Sequence, residues 1–251
     1  MRAELIGGNS IRACRAISQG AILAPRLNAL ILTDIQNDFV PGGALAVNEG
    51  GQIVPIVNRL QSHFDLVVAT QDWHPPNHGS FAANHPGKKP GDIIDLDGLP
   101  QILWPVHCVQ NTVGAAFVPA LDMKQVAEVF QKGTDSRIDS YSSFFDNGHR
   151  KATGLGDFLK ARRVTDVFIV GLTTDYCVKF TALDGIQLGF KTHVIEEACR
   201  GVNLKSGDVE KALEEMRKAG VEIVISVTAY GVGGWSVQRA ANQVLSSSAR
   251  R

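Results

Sequence analysis

The sequence contains few cysteines. Cys14, Cys108, Cys177 and Cys199 are the only four in 251 residues, and no two of them form a C-x-x-C pair. This number is too small for a disulfide-stabilised scaffold, so we expect free thiols in a reducing compartment, which we take to be the cytoplasm. Each thiol therefore has to be judged by its own position in the chain.

The sequence also lacks an excess of charge of one sign and a long apolar run. Lys and Arg together number 25, as do Asp and Glu, so the formal net charge is zero. This balance argues against nucleic acid or an acidic lipid surface as a partner and favours a small, weakly charged substrate. No apolar stretch approaches the roughly 18 residues of a membrane span. We therefore expect no membrane partner.

The first 27 residues carry four arginines and one acid, Glu4. This bias weakly resembles a mitochondrial transit peptide, and a targeting signal is one interpretation. The interpretation that we favour is an N-terminal extension over residues 1–27, followed by a single domain over residues 28–245.

Apolar runs of strand length alternate with segments of helical spacing along the rest of the chain. The strand-like runs are 29–35, 65–72, 127–133, 164–172, 191–198 and 221–227, and the helical segments are 52–63, 154–163, 175–189 and 206–220. Nearly continuous apolar strands that alternate with helices indicate a parallel sheet covered on both faces. The pattern therefore predicts an α/β protein with three layers, α/β/α, around a central, mostly parallel sheet.

Residues 73–119 interrupt this alternation. They are rich in Pro, Gly, His and Asn and include Trp73 and Trp104. A loop of this length in a compact domain is either functional or disordered, and its tryptophans and histidines favour function. Open α/β sheets bind ligands beyond the carboxyl ends of their strands. The polar residues at those ends are Asp34, Asp72, Lys132 and Cys177.

Cys177 lies where an apolar strand changes into a helix, in "GLTTDYCVKFTALDG" (171–185). Thr173, Thr174 and Asp175 are possible N-caps, which places the thiol in the first helical turn. Unpaired N–H groups there stabilise a thiolate and can receive an oxyanion. A small buried packing residue explains the position equally well.

Asp34 and Lys132 follow strands in the same way, in "LTDIQNDF" and "EVFQKGTDS". Either residue alone could be an exposed charge. Together with Cys177 at one edge of the sheet, they would form a nucleophile, a general base and a charge-balancing cation. The ammonium would also keep the carboxyl ionised in a dry pocket.

A group of metal-ligand residues falls in and next to the long loop. Asp72 and His74 are two residues apart, so in an extended chain their side chains point the same way. His107 follows in "LWPVHCVQNT". One Asp and two His leave room for water or substrate, as in catalytic metal sites, and they suit Zn²⁺, Fe²⁺ or Mn²⁺. Histidines that make ordinary loop hydrogen bonds are the alternative.

Six phrases in order carry a family resemblance. They are "DIQNDFVPGGALAV", "DWHPPNHGSFA", "WPVHCVQNTVGA", "VFQKGTD", "YSSFFD" and "GLTTDYCVKFTALD". Together they resemble the nicotinamidases (pyrazinamidases) of the isochorismatase-like cysteine hydrolase superfamily, over about residues 28 to 227. The resemblance implies the isochorismatase-like hydrolase fold. It also implies hydrolysis of nicotinamide to nicotinate and ammonia through a thioester, with pyrazinamide as a further substrate.

The resemblance also assigns roles by position. It implies a catalytic triad of Asp34, Lys132 and Cys177, and one divalent metal ion, which we take as zinc with iron or manganese as alternatives. It implies an oxyanion hole formed by backbone N–H groups beside a cis peptide bond at Leu172–Thr173. The remaining implied residues are Asp72, His74 and His107 as metal ligands, Ser80 as a possible further metal contact, Thr173 and Cys177 as the oxyanion donors, and Phe39 and Trp104 as walls for the pyridine ring.

Two features depart from the family pattern. The N-terminal extension is longer than the motifs need, and the segment 82–103 is longer than in compact bacterial members of the family. We expect a homo-oligomer. The alternative functions are a non-catalytic metal- or ligand-binding relative, another small-amide hydrolase of the superfamily, and a redox sensor that uses Cys177 and Cys108. No triad or ligand residue is missing, which favours the nicotinamidase.

Overall fold

The computed structural model of the chain describes residues 27–230 and 234–239. Almost all of the expected extension, residues 1–27, lies outside this range, as do residues 240–245 of the expected domain. Among the described helices, none is both long enough and apolar enough to cross a membrane.

A seven-stranded sheet forms the centre of the fold. Its strands lie in the order β5-β2-β1-β6-β7-β8-β9, and every neighbouring pair is parallel except β8 and β9. The strands are β1 (Leu27–Thr33), β2 (Leu66–Asp72), β5 (Val126–Lys132), β6 (Val164–Leu172), β7 (Lys191–Arg200), β8 (Glu222–Tyr230) and β9 (Gly234–Arg239). The prediction of a mostly parallel sheet is confirmed.

Helices cover both faces of the sheet. They are α1 (Val54–Gln61), α2 (Leu155–Ala161), α3 (Lys179–Gln187) and α4 (Asp208–Lys218). Successive residues of β1 point to opposite faces: Leu30 and Leu32 pack in the core beneath α1, whereas Ala29 and Ile31 pack in the core beneath α2, α3 and α4. Both faces of β1 are therefore buried, which is why its sequence is continuously apolar rather than alternating.

Most predicted elements end within two residues of the observed bounds. Three features were not predicted. The long loop contains an antiparallel hairpin of β3 (Ile93–Leu96) and β4 (Leu99–Ile102), β9 pairs antiparallel with β8, and a π-helical turn at Thr174–Val178 precedes α3. A hairpin of four-residue strands, one with an alternating exposed pattern, gives too short a periodicity to detect in the sequence.

The sheet order brings the polar strand ends together. Strands β5, β2, β1 and β6 are neighbours, and they run parallel, so their carboxyl ends share one edge. Asp34 follows β1, Asp72 ends β2, and Lys132 ends β5 directly opposite Asp72. Cys177 follows β6 after one turn. The topology therefore assembles these four residues into one site.

Candidate active site

Asp34, Lys132 and Cys177 lie in contact at this edge of the sheet. The Lys132 ammonium nitrogen is 3.0 Å from Asp34 Oδ2 and 3.5 Å from Cys177 Sγ. A carboxylate oxygen of Asp34 lies within 4.8 Å of the sulfur. The three residues are therefore placed together as the sequence predicted.

The backbone at Asp34 is set by a close approach of two strands. Asp34 has a φ of 49°, in the left-handed region that Asp tolerates better than most residues. Gly171 lies opposite Thr33, and a Cβ on Gly171 would fall 2.0 Å from the Thr33 carbonyl oxygen. Only glycine lets β1 and β6 approach this closely, directly before Asp34 in the chain.

Burial raises the pKa of the Asp34 carboxyl to about 6, and the Lys132 ammonium and a hydrogen bond from Thr70 limit the rise. The pKa of Lys132 also rises well above its usual value. Burial alone would lower it, but the Asp34 and Asp72 carboxylates outweigh burial. Lys132 therefore stays charged in a fully buried position, where it also donates a hydrogen bond to the Ser140 carbonyl at 2.8 Å.

Burial raises the pKa of the Cys177 thiol well above its usual value. The Lys132 ammonium opposes this rise, and the neighbouring carboxylates add to it. The helix start was expected to favour the thiolate, but burial and the two acids outweigh it here. The resting thiol is protonated, so nucleophilic attack needs a base. Asp34 lies close to the Cys177 sulfur and has a pKa near neutrality, so it can act as this base.

Asp72, His74 and His107 form a group that could hold a metal ion, with ligand atoms within 4.8 Å of one another. Asp72 Oδ2 is 3.5 Å from His74 Nε2 and 3.8 Å from His107 Nε2. The Nδ1 atoms lie 2.9 Å from the Gly133 carbonyl and 2.8 Å from the Pro105 carbonyl, respectively. A carbonyl only accepts, so each Nδ1 carries a hydrogen and each Nε2 is turned towards Asp72. The donor set therefore fits a divalent ion.

Ser80 lies beside this group but is engaged elsewhere. Its hydroxyl is 2.7 Å from His78 Nδ1, and the contact of Ser80 with a metal ion stays a prediction. His78 Nε2 is buried and has no hydrogen-bond partner among the described residues. His78, His74 and Asp139 form a second group of closely spaced ligand atoms. No role was predicted for His78 from the sequence.

An aromatic pocket opens onto Cys177 and His107. Phe39 and Trp104 line it, as predicted, together with Tyr141 and Tyr176, which were missed. Trp104 stands edge-on to Tyr176 at 4.8 Å, and its Nε1 donates to the Tyr141 hydroxyl at 3.2 Å. Both tyrosines fall inside the family-like phrases, so an aromatic residue next to the nucleophile could have indicated Tyr176.

The free space in this pocket is only about 20 Å³. Two larger clefts, of about 280 and 400 Å³, adjoin it. The first reaches Lys132 and the second shares Tyr141 and Tyr176 with the pocket, but neither is lined by Cys177 or by the metal-ligand group. The chemistry therefore identifies the small aromatic pocket, and not the larger clefts, as the candidate active site.

Thr173 completes the wall next to Cys177. The Leu172–Thr173 peptide bond is cis, as the resemblance implied, and Thr173 lines the pocket. The Thr173 hydroxyl is buried and has no hydrogen-bond partner in the described part of the chain. A buried hydroxyl without a partner costs free energy, so a polar group of a bound molecule is a natural partner for it.

A thiol, a carboxylate and an ammonium at the carboxyl edge of a parallel sheet, next to a metal-ligand group, are typical of an α/β hydrolase. Residues 28–228 match the isochorismatase domain family model. The chain therefore belongs to the isochorismatase domain family.

Individual relatives agree with this assignment. The chain is similar to the nicotinamidase of Escherichia coli, with 51% identity over 82% of this chain and 96% of the relative. A solved nicotinamidase/pyrazinamidase of Acinetobacter baumannii matches with 48% identity, 79% and 96% coverage and a TM-score of 0.77. A pyrazinamidase of Pyrococcus horikoshii in complex with zinc matches with 40% identity, 78% and 98% coverage and a TM-score of 0.65.

Proposed function

We propose that this chain is a nicotinamidase that hydrolyses nicotinamide to nicotinate and ammonia, and that it also accepts pyrazinamide. The observation that carries the proposal is the placement of Asp34, Lys132 and Cys177 beside a metal-ligand group at the base of a small aromatic pocket. The identity to nicotinamidases over most of both chains supports the same substrate class.

The pocket suits a small, flat ring. Its aromatic walls offer stacking surfaces, and its small free volume excludes polymeric substrates. Phe39, Trp104, Tyr141 and Tyr176 hold the ring, and the carboxamide points to Cys177.

Acylation begins with proton transfer from the thiol to Asp34. Asp34 Oδ2 is buried and lacks a well-aligned hydrogen-bond donor among the described residues, so it keeps a lone pair for this proton. The sulfur attacks the carboxamide carbon, and the oxygen that becomes negative is received by the backbone N–H groups of Thr173 and Cys177. Lys132 offsets the charge that forms on the sulfur.

Collapse of the tetrahedral intermediate breaks the carbon–nitrogen bond. Asp34 returns the proton to the nitrogen, ammonia leaves, and a thioester remains on Cys177. Asp34 is then again a base and takes a proton from the water that attacks the thioester. The carbon–sulfur bond breaks, the thiol recovers its proton, and nicotinate leaves.

The metal-ligand group fits one divalent ion, which we propose to be zinc, with iron or manganese as alternatives. Asp72, His74 and His107 would hold it, with Ser80 as a further contact. When bound, such an ion supplies a Lewis-acidic site that can orient a ring nitrogen. The hydrogen bonds from Nδ1 to the Gly133 and Pro105 carbonyls orient the two imidazoles so that each Nε2 could bind the ion.

The wider setting is also a proposal. Residues 28–245 form one hydrolase domain after an extension over 1–27. The chain acts in the cytoplasm as a homo-oligomer, and its reaction returns nicotinamide to NAD synthesis.

The test is ammonia release from nicotinamide by the metal-loaded protein, with and without a chelator. We expect turnover that the chelator abolishes. Cys177→Ala should lower kcat by about 10⁴-fold or more, because a covalent step has no easy substitute. Cys199→Ala is the matched control, since Cys199 is also a buried thiol but does not line the pocket.

Each alternative has its own result. No ammonia from the metal-loaded wild type would indicate a non-catalytic relative, and ammonia from other amides alone would indicate another amidase. Loss of metal on peroxide treatment without any amidase activity would indicate a redox sensor.

A further inference from the structure

Behind the carboxylate of Asp34 lies a chain of buried hydroxyl groups that the proposed reaction does not use. Thr70 on β2 donates to Asp34 Oδ1 at 2.8 Å. The Ser143 hydroxyl lies 3.4 Å from the Thr70 hydroxyl, and the Thr181 hydroxyl lies 2.9 Å from that of Ser143. The backbone N–H of Ser143 donates to Thr181 Oγ1 at 2.8 Å. All four side chains are fully buried.

The direction of the hydrogen bonds in this chain is fixed from both ends. An ionised Asp34 can only accept hydrogen bonds, so Thr70 must donate its single hydroxyl hydrogen to Asp34. Ser143 must then donate to Thr70, and Thr181 must donate to Ser143. At the far end a backbone N–H, which can only donate, gives its hydrogen to Thr181. Each hydroxyl therefore donates once and accepts once, and every donation points towards Asp34.

The two carboxylate oxygens of Asp34 have different partners. Oδ1 is held by Thr70, whereas Oδ2 lies 3.0 Å from the Lys132 ammonium and keeps a lone pair. Rotation of the carboxylate would break the bond to Thr70, which is fully buried. Thr70 therefore decides which oxygen of Asp34 faces Lys132.

The hydroxyl chain also joins the base to the helix that follows the nucleophile. Thr181 is four residues after Cys177, one helical turn along, while Thr70 belongs to the strand next to β1. Ser143 lies in the loop between β5 and α2 and bridges the two. Any shift of the nucleophile turn against Asp34 would stretch these bonds.

We propose that Thr70, backed by Ser143 and Thr181, is a positioning residue that holds the Asp34 carboxylate with Oδ2 ready to take the Cys177 proton. This inference rests on the proposed function, because it assigns a task to groups behind the proposed base. It predicts that loss of the Thr70 hydroxyl slows proton transfer and leaves substrate binding intact.

The main experiment compares Thr70→Val with Thr70→Ser in the metal-loaded protein. Thr70→Val keeps the shape and removes the hydroxyl, so we expect kcat for nicotinamide to fall about 10- to 100-fold with KM changed less than about threefold, the range of a hydrogen bond to a charged group. Thr70→Ser keeps the hydroxyl and should recover most of kcat. Ser143→Ala should cost about three- to tenfold, because its link to Thr70 is long.

A second measurement is independent of amide turnover. The rate at which iodoacetamide alkylates Cys177, followed by mass spectrometry of its peptide, should fall in Thr70→Val and recover in Thr70→Ser. Thr192→Val is the matched control, since Thr192 is a buried threonine that donates only to the Phe190 carbonyl. It should leave both rates within about twofold of wild type.

The outcomes separate the two proposals. A wild type without amidase activity would end the proposed function, whereas alkylation rates would still test the hydroxyl chain. An active wild type with Thr70→Val equal to Thr192→Val in both rates would overturn the positioning role. Thr70→Ser as slow as Thr70→Val would also overturn it, because the effect would then come from packing. If Thr70→Val does not fold, Ser143→Ala at wild-type rates overturns the proposal.

Discussion

Replacing Lys132 with methionine tests how much one buried cation contributes to the free energy of unfolding. Within residues 27–230 and 234–239, Lys132 carries the only ammonium or guanidinium group paired with Asp34 or with Asp72. Methionine has a similar length and no charge, so it fills the space and leaves two buried carboxylates facing each other. Their oxygens lie within 4.8 Å of one another.

The size of the effect follows from this distance. Two unit charges 4.8 Å apart repel by about 3.5 kcal/mol at an effective dielectric constant of about 20. Removal of one partner from a buried ion pair costs about 3 to 5 kcal/mol by itself. We therefore expect Lys132→Met to lower the free energy of unfolding by about 3 to 5 kcal/mol, or the Tm by roughly 6 to 20 °C. Protonation of Asp34 at neutral pH relieves the repulsion and removes the base.

The assay is urea unfolding of chelator-treated protein at pH 7, with ammonia release measured on metal-loaded protein. Lys88→Met at an exposed position is the control and should match wild type. Adding Asp34→Asn to Lys132→Met should restore part of the stability, because it removes the unpaired buried charge of Asp34. It should not restore turnover. A Lys132→Met protein that loses less than about 1 kcal/mol would refute the electrostatic reasoning.

Three further predictions test other parts of the site. The pKa of Asp34 is raised to about 6, and a base must be ionised, so kcat/KM should fall about tenfold per pH unit below pH 6 and level off above it; a flat profile across this region would contradict Asp34 as the base. His74→Ala should deplete bound metal, measured by elemental analysis, and full occupancy would remove His74 from the ligand set. Thr173→Val should weaken nicotinamide binding about fivefold or more if the buried hydroxyl meets the amide NH₂, and it should spare binding of the product nicotinate, which lacks that group. Equal losses for both ligands would place the hydroxyl at the carbonyl oxygen instead.

The strand and helix pattern could be predicted because both faces of the sheet are buried. Strand β6 (Val164–Leu172) is apolar and buried over residues 167–172, and its bounds agree with the prediction at both ends. The partners of each strand could not be deduced from periodicity, because a fully buried strand has the same apolar sequence pattern in any position of the sheet. The structure places β1 between β2 and β6.

The site was predictable where a charged residue ends an apolar strand, and less so elsewhere. Asp34, Asp72 and Lys132 were found because an ionised group there needs a partner. The hydroxyl chain was not found, because Thr and Ser are ordinary in strands and loops and give no signal of what lies across the fold. The pairing of Lys132 with Asp72 was missed too, since it depends on the register of β2 against β5.

Asp72 links the two halves of the site through its two oxygens. Oδ1 contacts the Lys132 ammonium, and Oδ2 faces both His74 and His107. Burial by itself would raise the pKa of Asp72, but Lys132 and the histidines hold it well below the usual value, so the carboxylate is ionised. Without a cation, Asp34, Asp72 and Lys132 together carry one net negative charge, which disfavours a thiolate on Cys177. A divalent ion among the ligands would reverse that sign. The same carboxylate that would bind the ion contacts the ammonium beside the thiol, so a bound ion would favour the thiolate.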